Sequence, residues 1–192
     1  MSSSRTLYIN DEKPRVVVLE NAMKINGSAF IGCEALQILN ISNSVTRIEP
    51  DAFRGCVSLA NVEIPSSVII INDRAIRNCS SLKNVTIKNG VATIGNEAFY
   101  GCSSLVNVVI PNSIEIIGDE AFCDCDSLKS IVISKSIKEI GEDAFDDDCE
   151  IIKIAVVKDP VEMKVESASN DEMVLHQKDI INEIENDDPI LF

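Results

Sequence analysis

Aromatic and basic residues are scarce in this chain of 192 residues. It has no tryptophan, one histidine and an aromatic content of only 4%. Because 45% of the residues are apolar, we still expect a hydrophobic core, built from Ile, Val, Leu and Ala rather than from large rings. Asp and Glu number 31 against 17 Lys and Arg, which gives a net charge of −14. This balance argues against nucleic acid as a partner, because phosphate contacts require clustered Lys and Arg.

Long apolar runs are also missing. No segment approaches the roughly 20 apolar residues that a membrane-spanning helix requires. The N-terminal sequence MSSSRTLYINDEKPRVVV has no apolar stretch typical of a signal peptide. We therefore expect no membrane insertion and a cytoplasmic location, with a secreted or cell-surface protein as the alternative.

The sequence lacks the usual motifs of catalysis. Its only histidine, His176, lies near the C-terminus. There is no nucleophile–histidine–acid set, no Gly-rich phosphate loop and no HExxH zinc motif. The sequence therefore predicts a protein that is not an enzyme and uses no cofactor.

The chain contains instead a regular 23-residue repeat, and a fixed period of this length indicates stacked structural units. Each copy carries Ala followed by a position that is usually Phe, called here the ring position. In the first five copies Cys stands three residues after the ring position, and Leu, Val and Ile occupy further fixed positions. The ring position holds Phe30, Phe53, Ile76, Phe99, Phe122 and Phe145. The cysteine position holds Cys33, Cys56, Cys79, Cys102 and Cys125. In the sixth copy Asp148 takes the cysteine position and Cys149 follows one residue late, which predicts the end of the array.

Each copy is predicted to form two short strands and a turn. Segments such as LKNVTI alternate apolar and polar residues as strands do, and a second extended piece such as SVIII follows. In the segment IGNEAF, glycine precedes residues that favour the start of a short helical turn. Gly95, Gly118 and Gly141 are expected to supply conformational freedom at this corner. In the partial first copy, VVVLENAMKI, the repeat register places Val16 and Val18 in the core.

The repeat resembles the BspA-like class of leucine-rich repeats, whose units read approximately Leu-x-x-Ile-x-Ile-Pro-x-Ser-Val-x-x-Ile-Gly-x-x-Ala-Phe-x-x-Cys. The likeness covers about residues 16–157. It implies an α/β-type repeat solenoid, a right-handed coil of short parallel strands with short helical turns on the other face. We expect an N-terminal cap and partial first repeat in 1–24, and five full units plus a degenerate sixth in 25–157. An acidic tail whose sequence allows a short amphipathic helix follows in 158–192.

The recurring cysteine has three possible explanations. Five thiols at one repeat position form a straight ladder, which suits core packing because free cysteine is among the most buried residue types. Disulfides between adjacent coils are geometrically conceivable but would leave one of the seven cysteines over. Zinc requires four ligands that converge on one point, whereas these thiols form a straight ladder along the array. Packing is the favoured hypothesis, and Cys123, outside the register, is predicted to be the most reactive thiol.

Acidic and amide residues recur at the corners of the repeat. Oxygen ligands in a turn suit Ca²⁺, but the glycine-rich calcium nonapeptide is missing, so we predict no metal site. The two rows are Glu97, Glu120 and Asp143, and beside them Asn96, Asp119 and Glu142.

The strand residues that point away from the core are the predicted contact surface. We predict a monomeric, non-enzymatic interaction or scaffold module that binds an unidentified protein partner through this surface. The resemblance implies a secreted or cell-surface adhesin or antigen as the alternative. β-Branched residues also favour exposed strands without any binding role. The predicted partner-binding residues are a row of Asn61, Asn84 and Asn107, an apolar patch of Val106, Val109 and Val132, and the lysines Lys83 and Lys129.

Overall fold

A computed structural model describes residues 15–19 and 21–155. Residues 1–14, the predicted acidic tail and His176 lie outside the described residues. The described part contains thirteen short strands and no helix. In chain order the strands are β1 (Val16–Leu19), β2 (Lys24–Ile25), β3 (Ile38–Ile41), β4 (Arg47–Ile48), β5 (Asn61–Ile64), β6 (Ile70–Ile71), β7 (Asn84–Ile87), β8 (Thr93–Ile94), β9 (Asn107–Val109), β10 (Ile116–Ile117), β11 (Ser130–Ser134), β12 (Glu139–Ile140) and β13 (Glu150–Ile154).

The longer strands form one side of the coils and pair in parallel. The first pair is β1 with β3. A three-stranded sheet contains β5, β7 and β9, and a further pair joins β11 to β13. In the middle coils the register follows the sequence repeat, with Val62 opposite Val85 and Val85 opposite Val108. These three valines are buried in the core. Alternate residues of the same strands face away from the core.

The two-residue strands form a second side. They make one six-stranded parallel sheet in the order β2, β4, β6, β8, β10, β12, which confirms a solenoid of short parallel strands with six coils. The second residue of every strand is an isoleucine that faces inward. These are Ile25, Ile48, Ile71, Ile94 and Ile117, all buried, and Ile140, which is partly buried at the end of the array.

The first coil differs from the predicted register by one residue. The repeat aligns Val16 with Leu39, whereas the structure pairs Val16 with Ile38 and Val17 with Leu39. A shift of one residue reverses the face that a strand turns to the core. Val17 and Leu19 are therefore buried, and the prediction that Val16 and Val18 lie in the core is wrong; Val16 is 39% exposed.

The predicted short helical turns are absent from residues 15–19 and 21–155. Two residues in each of the first five connecting segments have positive φ, which an α-helix of L-residues does not allow. In the fourth coil they are Glu97 (φ 55°) and Gly101 (φ 69°). The segment forms tight turns instead, in which the Cys102 N–H donates to the Phe99 carbonyl at 3.2 Å. The equivalent residues elsewhere are Ser28, Asp51, Arg74, Glu120 and Asp143 at the first position and Gly32, Gly55, Asn78 and Asp124 at the second.

These turns direct backbone N–H groups toward the next coil. The Phe99 N–H donates to the Ala121 carbonyl, and the Phe122 N–H donates to the Ala144 carbonyl, both at 2.8 Å. The alternate N–H groups of Glu97, Phe99 and Gly101 all bond the next coil, whereas in a helix the N–H groups beyond the first turn bond within the same segment. The third side of each coil is therefore held to its neighbour by backbone hydrogen bonds, as the two strand sides are.

The corner glycines serve a different purpose from the predicted one. Gly118 does not have positive φ. A Cβ there would lie 2.6 Å from the backbone nitrogen of Asn96 and 2.7 Å from the carbonyl carbon of Gly95. Neighbouring backbones thus approach too closely for a side chain, and Gly95 and Gly141 occupy the same position in their coils.

The core repeats the same contacts from coil to coil. The rings of Phe99 and Phe122 stack with their centroids 5.0 Å apart. The buried thiol of Cys102 donates to the Ile76 carbonyl at 3.3 Å, and Cys125 bonds the Phe99 carbonyl in the same way. The five ladder cysteines are buried and none of the seven cysteines forms a disulfide, which confirms the packing hypothesis for the ladder. Burial raises the pKa of the Cys102 thiol far above its usual range.

The last coil is shorter than the middle coils by three positions. The repeat aligns Ser130 with Lys153 and Ile131 with Ile154, whereas the structure pairs Ser130 with Glu150 and Ile131 with Ile151. This shortening changes which residues of β13 face outward, with consequences for the surface described next.

Candidate interaction surface

The outward side of β1, β3, β5, β7, β9, β11 and β13, called here the long-strand face, carries an asparagine ladder. The Asn84 side-chain N–H donates to the side-chain oxygen of Asn61 at 2.6 Å, and Asn107 donates to Asn84 at 2.7 Å. In-register parallel pairing puts identical side chains about 4.8 Å apart, a gap that amide groups can bridge. The predicted row is therefore present as a hydrogen-bonded ladder, and its binding role stays a prediction.

An aliphatic row begins two residues after Asn107 and runs across β9, β11 and β13. Val109 and Val132 occupy equivalent repeat positions in β9 and β11, and both are half-buried. Ile152 lies opposite Val132 and extends the row. Sequence analysis missed Ile152, because its placement depends on the shortened last coil. Val106, just before β9, is also half-buried, so the four side chains line one end of the face.

The two predicted lysines differ in their surroundings. Lys129 is exposed and forms an ion pair with Asp148 at 2.5 Å, a hydrogen bond that raises the pKa of Lys129 and lowers that of Asp148. Lys83 is exposed and joins none of the ion pairs among the described residues. Lys88, which the sequence did not single out, pairs with Glu63 at 3.8 Å. Lys83 is therefore the predicted cation that remains available to a partner.

The N-terminal end of the long-strand face is also aliphatic. Val16 and Ile38 lie opposite each other and are 39% and 51% exposed. They continue the row of the asparagine ladder into the first two coils. The one-residue shift in β1 is not visible in the repeat, so the sequence does not place Val16 on this surface. Ile38 occupies the repeat position of Asn61 but lies one coil before the predicted contact surface. The face therefore has an amide-rich middle between two aliphatic ends.

The amide and acidic row at the corner supports the backbone of the neighbouring coil. The side-chain oxygen of Asp73 accepts the Asn96 N–H, that of Asn96 accepts the Asp119 N–H, and that of Asp119 accepts the Glu142 N–H, each at 2.9 Å. Each side chain is thus engaged by the next coil. These hydrogen bonds give the recurring acidic and amide residues a structural role in holding the array together.

The described residues contain one cluster of potential metal ligands. Single ligand atoms of Cys123, Asp124 and Asp146 lie within 4.8 Å of one another. The Asp146 carboxylate already accepts the N–H groups of Asp124 and Cys125 at 2.8 and 3.0 Å.

A hydrogen bond to Asp124 raises the pKa of Tyr100 to about 12. Partial burial and the neighbouring carboxylates also raise the pKa of Cys123, which disfavours its thiolate and argues against the reactivity predicted for it.

The repeat geometry agrees with a known family model. Residues 23–153 match the BspA type leucine rich repeat region in six copies, which is more than half of the chain. The chain belongs to the BspA-type leucine-rich repeat family. The six copies correspond to the six coils of the short-strand sheet. The family resemblance identified from the repeat is thereby confirmed.

Several solved structures of bacterial leucine-rich repeat proteins are similar to this BspA-type chain. The leucine rich repeat protein TpLRR of T. pallidum is 30% identical over 73% of each chain, with a TM-score of 0.61. A leucine rich cell surface protein of Faecalibacterium prausnitzii A2-165 is 25% identical, with a TM-score of 0.54; the likeness covers 73% of this chain and 48% of that one. A leucine-rich repeat protein of Bacteroides ovatus ATCC 8483 shares the fold at 24% identity and a TM-score of 0.57, over 73% of this chain and 52% of its own.

The BspA-type chain therefore spans about half the length of the last two relatives. No curated protein matches it at a significant level. Within the residues that the structure describes, no helix is long and apolar enough to cross a membrane.

The asparagine ladder predicts a loss of stability in the variant Asn84→Ala. The variant removes the donor to Asn61 and leaves the side-chain N–H of Asn107, a buried residue, without its acceptor. We expect a loss of about 1–2 kcal/mol in the free energy of unfolding, because a buried polar group left without a partner is costly.

Urea denaturation near neutral pH measures this effect. The matched control is Asn40→Ala, at an exposed residue of β3 on the same face that lies outside the ladder. Equal stability changes in the two variants would contradict a structural role for the ladder.

Proposed function

We propose that this protein is a non-enzymatic interaction module that binds a protein partner through the long-strand face. The observation that carries the proposal is the half-buried aliphatic row of Val109, Val132 and Ile152 beside the asparagine ladder. Aliphatic side chains bordered by hydrogen-bonding groups match the usual composition of a binding centre and its rim.

The backbone under this face favours tight binding, because it is already ordered by pairing on both sides of the middle strands. A surface ordered in advance loses little conformational entropy when a partner docks. Asn61, at the exposed end of the ladder, does not use its own side-chain N–H in the ladder. Lys83 is exposed and directly precedes Asn84, which lies opposite Asn61, so the face suits a partner that presents aliphatic side chains, a carbonyl acceptor and a carboxylate.

The binding proposal predicts that Val109→Lys/Val132→Lys abolishes capture of a specific partner. Two ammonium groups would have to be desolvated in the aliphatic row, so affinity should fall by about a hundredfold or more. Partners captured from native lysate by the wild-type protein are identified by mass spectrometry, and each is then purified and titrated against the variants.

The control Val57→Lys/Ser80→Lys adds the same charge at exposed positions off the strands, and circular dichroism checks that all the variants fold. The control should bind each partner within about twofold of the wild type. A partner that binds the row variant as tightly as the control does would show that this face is not the binding site.

A second candidate function is adhesion or antigen display at the cell surface. The observation that favours it is the similarity to the Faecalibacterium prausnitzii protein, which is described as a leucine rich cell surface protein. This comparison favours a surface location over the cytoplasmic location expected from the sequence. The same long-strand face would serve binding in either location.

Surface display predicts that a membrane-impermeant, amine-reactive biotin reagent labels the protein on intact cells of its source organism. A cytosolic protein of similar lysine content is the control for lysis. Labelling that appears only after the cells are broken would exclude the surface role and leave the binding proposal standing.

A further inference from the structure

A second exposed surface lies on the short-strand sheet, away from the long-strand face. It consists of the first residue of β2, β4, β6, β8, β10 and β12 together with the residue before it, and is called here the short-strand face. Among large apolar side chains of the described residues, Met23 and Ile69 have the highest exposed fractions, 72% and 52%. Both lie on this face. An apolar surface of this kind on a soluble array indicates contact with another molecule.

Charge and apolar character are ordered along this face. The coils at its centre carry aliphatic and other uncharged side chains, namely Ile69, Ile70, Ala92, Thr93 and Ile116. The N-terminal end is basic, with Lys24 and Arg47 exposed. The C-terminal end carries the exposed Glu115, Lys138 and Glu139; Lys138 pairs with Glu115, so Glu139 leaves this end acidic. Opposite charges thus lie at the two ends of an apolar centre.

The outermost charges of the face are available to a second molecule. Neither Lys24 nor Glu139 takes part in the ion pairs found in the described part of the chain. Nearer the centre, Arg47 lies 4.0 Å from Glu49, and Glu115 pairs with Lys138 at 2.9 Å. A partner that supplied the opposite charge to both Lys24 and Glu139 would therefore gain two contacts without breaking existing ones.

We propose that the short-strand face binds the same face of a second copy, with the two stacks of coils antiparallel. A two-fold axis parallel to the strands and between β6 and β8 would relate the two copies. Lys24 would then lie across from Glu139 of the partner subunit, and Ile70 across from Thr93 of the partner subunit. The aliphatic centres meet at the axis, and both ends form contacts between opposite charges.

The order of the charges favours a second copy over an unrelated partner. A two-fold dimer requires a surface that is complementary to itself, and a face that is basic at one end and acidic at the other meets this requirement in the antiparallel orientation. The parallel orientation would instead place Lys24 against Lys24 of the partner subunit, and like charges directly opposite are destabilising. Self-association thus accounts for both the apolar centre and the charged ends.

The size of the face sets the expected strength. Six strands about 4.8 Å apart extend for about 24 Å, and the surface is only a few residues wide, which is at the small end for specific interfaces. We therefore expect a dissociation constant in the range of about 1–100 µM.

The sequence predicts a monomer, whereas this proposal predicts a dimer. The dimer extends the proposed function and does not depend on it. The long-strand face stays uncovered when the short-strand face is occupied. A dimer would then present two copies of the proposed binding face, and simultaneous engagement raises the effective affinity for a multivalent target.

Sedimentation equilibrium of the full chain, from about 1 to about 500 µM, tests the proposal. The wild type should shift from monomer to dimer over this range, and Ile69→Lys should weaken association by at least about tenfold, because it places two like charges near the apolar centre. The matched control is Ile38→Lys, which replaces an isoleucine of similar exposure (51%) on the long-strand face and should leave association unchanged. A monomer at all concentrations, or a dimer that is lost only in Ile38→Lys, would overturn the proposal.

Charge exchange tests the antiparallel arrangement. Lys24→Glu and Glu139→Lys should each weaken the dimer, since each puts like charges across the interface at both ends. The double variant Lys24→Glu/Glu139→Lys restores opposite charges and should return the dissociation constant to within about threefold of the wild type. These exposed substitutions leave the core intact, as circular dichroism will verify. A double variant no tighter than the weaker single variant would overturn the antiparallel dimer.

Discussion

Backbone hydrogen bonds between neighbouring coils, repeated on every side of the coil, are the interaction on which this structure depends. On two sides of the coil the bonds join parallel strands. On the third side the turn segments make them, as where the Phe99 N–H donates to the Ala121 carbonyl. These bonds fix the length of the repeat in the middle coils, where Val62, Val85 and Val108 lie in one row. A side chain at a given position must therefore lie directly beside its counterpart in the next coil.

This regular stacking explains why so many residue types recur. Phenylalanine rings of neighbouring coils stack, and asparagine amides bond along the outer face. Four buried thiols each bond a carbonyl of the preceding coil, namely those of Cys56, Cys79, Cys102 and Cys125. The corner row of Asp and Asn holds the N–H groups of the next coil. Most of the chemistry suggested by cysteine and acidic residues is thus used to hold the array together. The coils also differ on their exposed faces, where Thr86 lies opposite Val109 and Ile69 aligns with Ala92.

Positions fixed by the period could be predicted from the sequence, whereas positions fixed by contacts between coils could not. The strands, the inward Val and Ile positions and the stacked Asn61, Asn84 and Asn107 all follow from the repeat spacing alone. The turn was mistaken for a helix because the sequence around Glu97 is locally favourable for helix formation. In the structure Glu97 adopts positive φ, which its own conformational preference disfavours, and the bonds to the next coil compensate for this cost.

The two ends of the array show the same limit. The repeat predicts that Val16 lies in the core and does not predict that Ile152 lies on the outer face. At both ends the 23-residue period breaks down, so the register of β1 and of β13 is set by pairing with one neighbouring strand. The candidate surface is therefore predictable from the repeat in its middle coils and at Val109 and Val132, whereas the outward positions of Val16 and Ile152 required the structure.

The central claim, that the turns are bonded from coil to coil, can be tested by NMR detection of scalar couplings across hydrogen bonds in the deuterated, isotope-labelled protein. The account predicts a coupling between the Phe99 amide nitrogen and the Ala121 carbonyl carbon, and another between Phe122 and Ala144. A coupling from the Phe99 nitrogen to the Gly95 carbonyl, as a helix would give, would contradict the account.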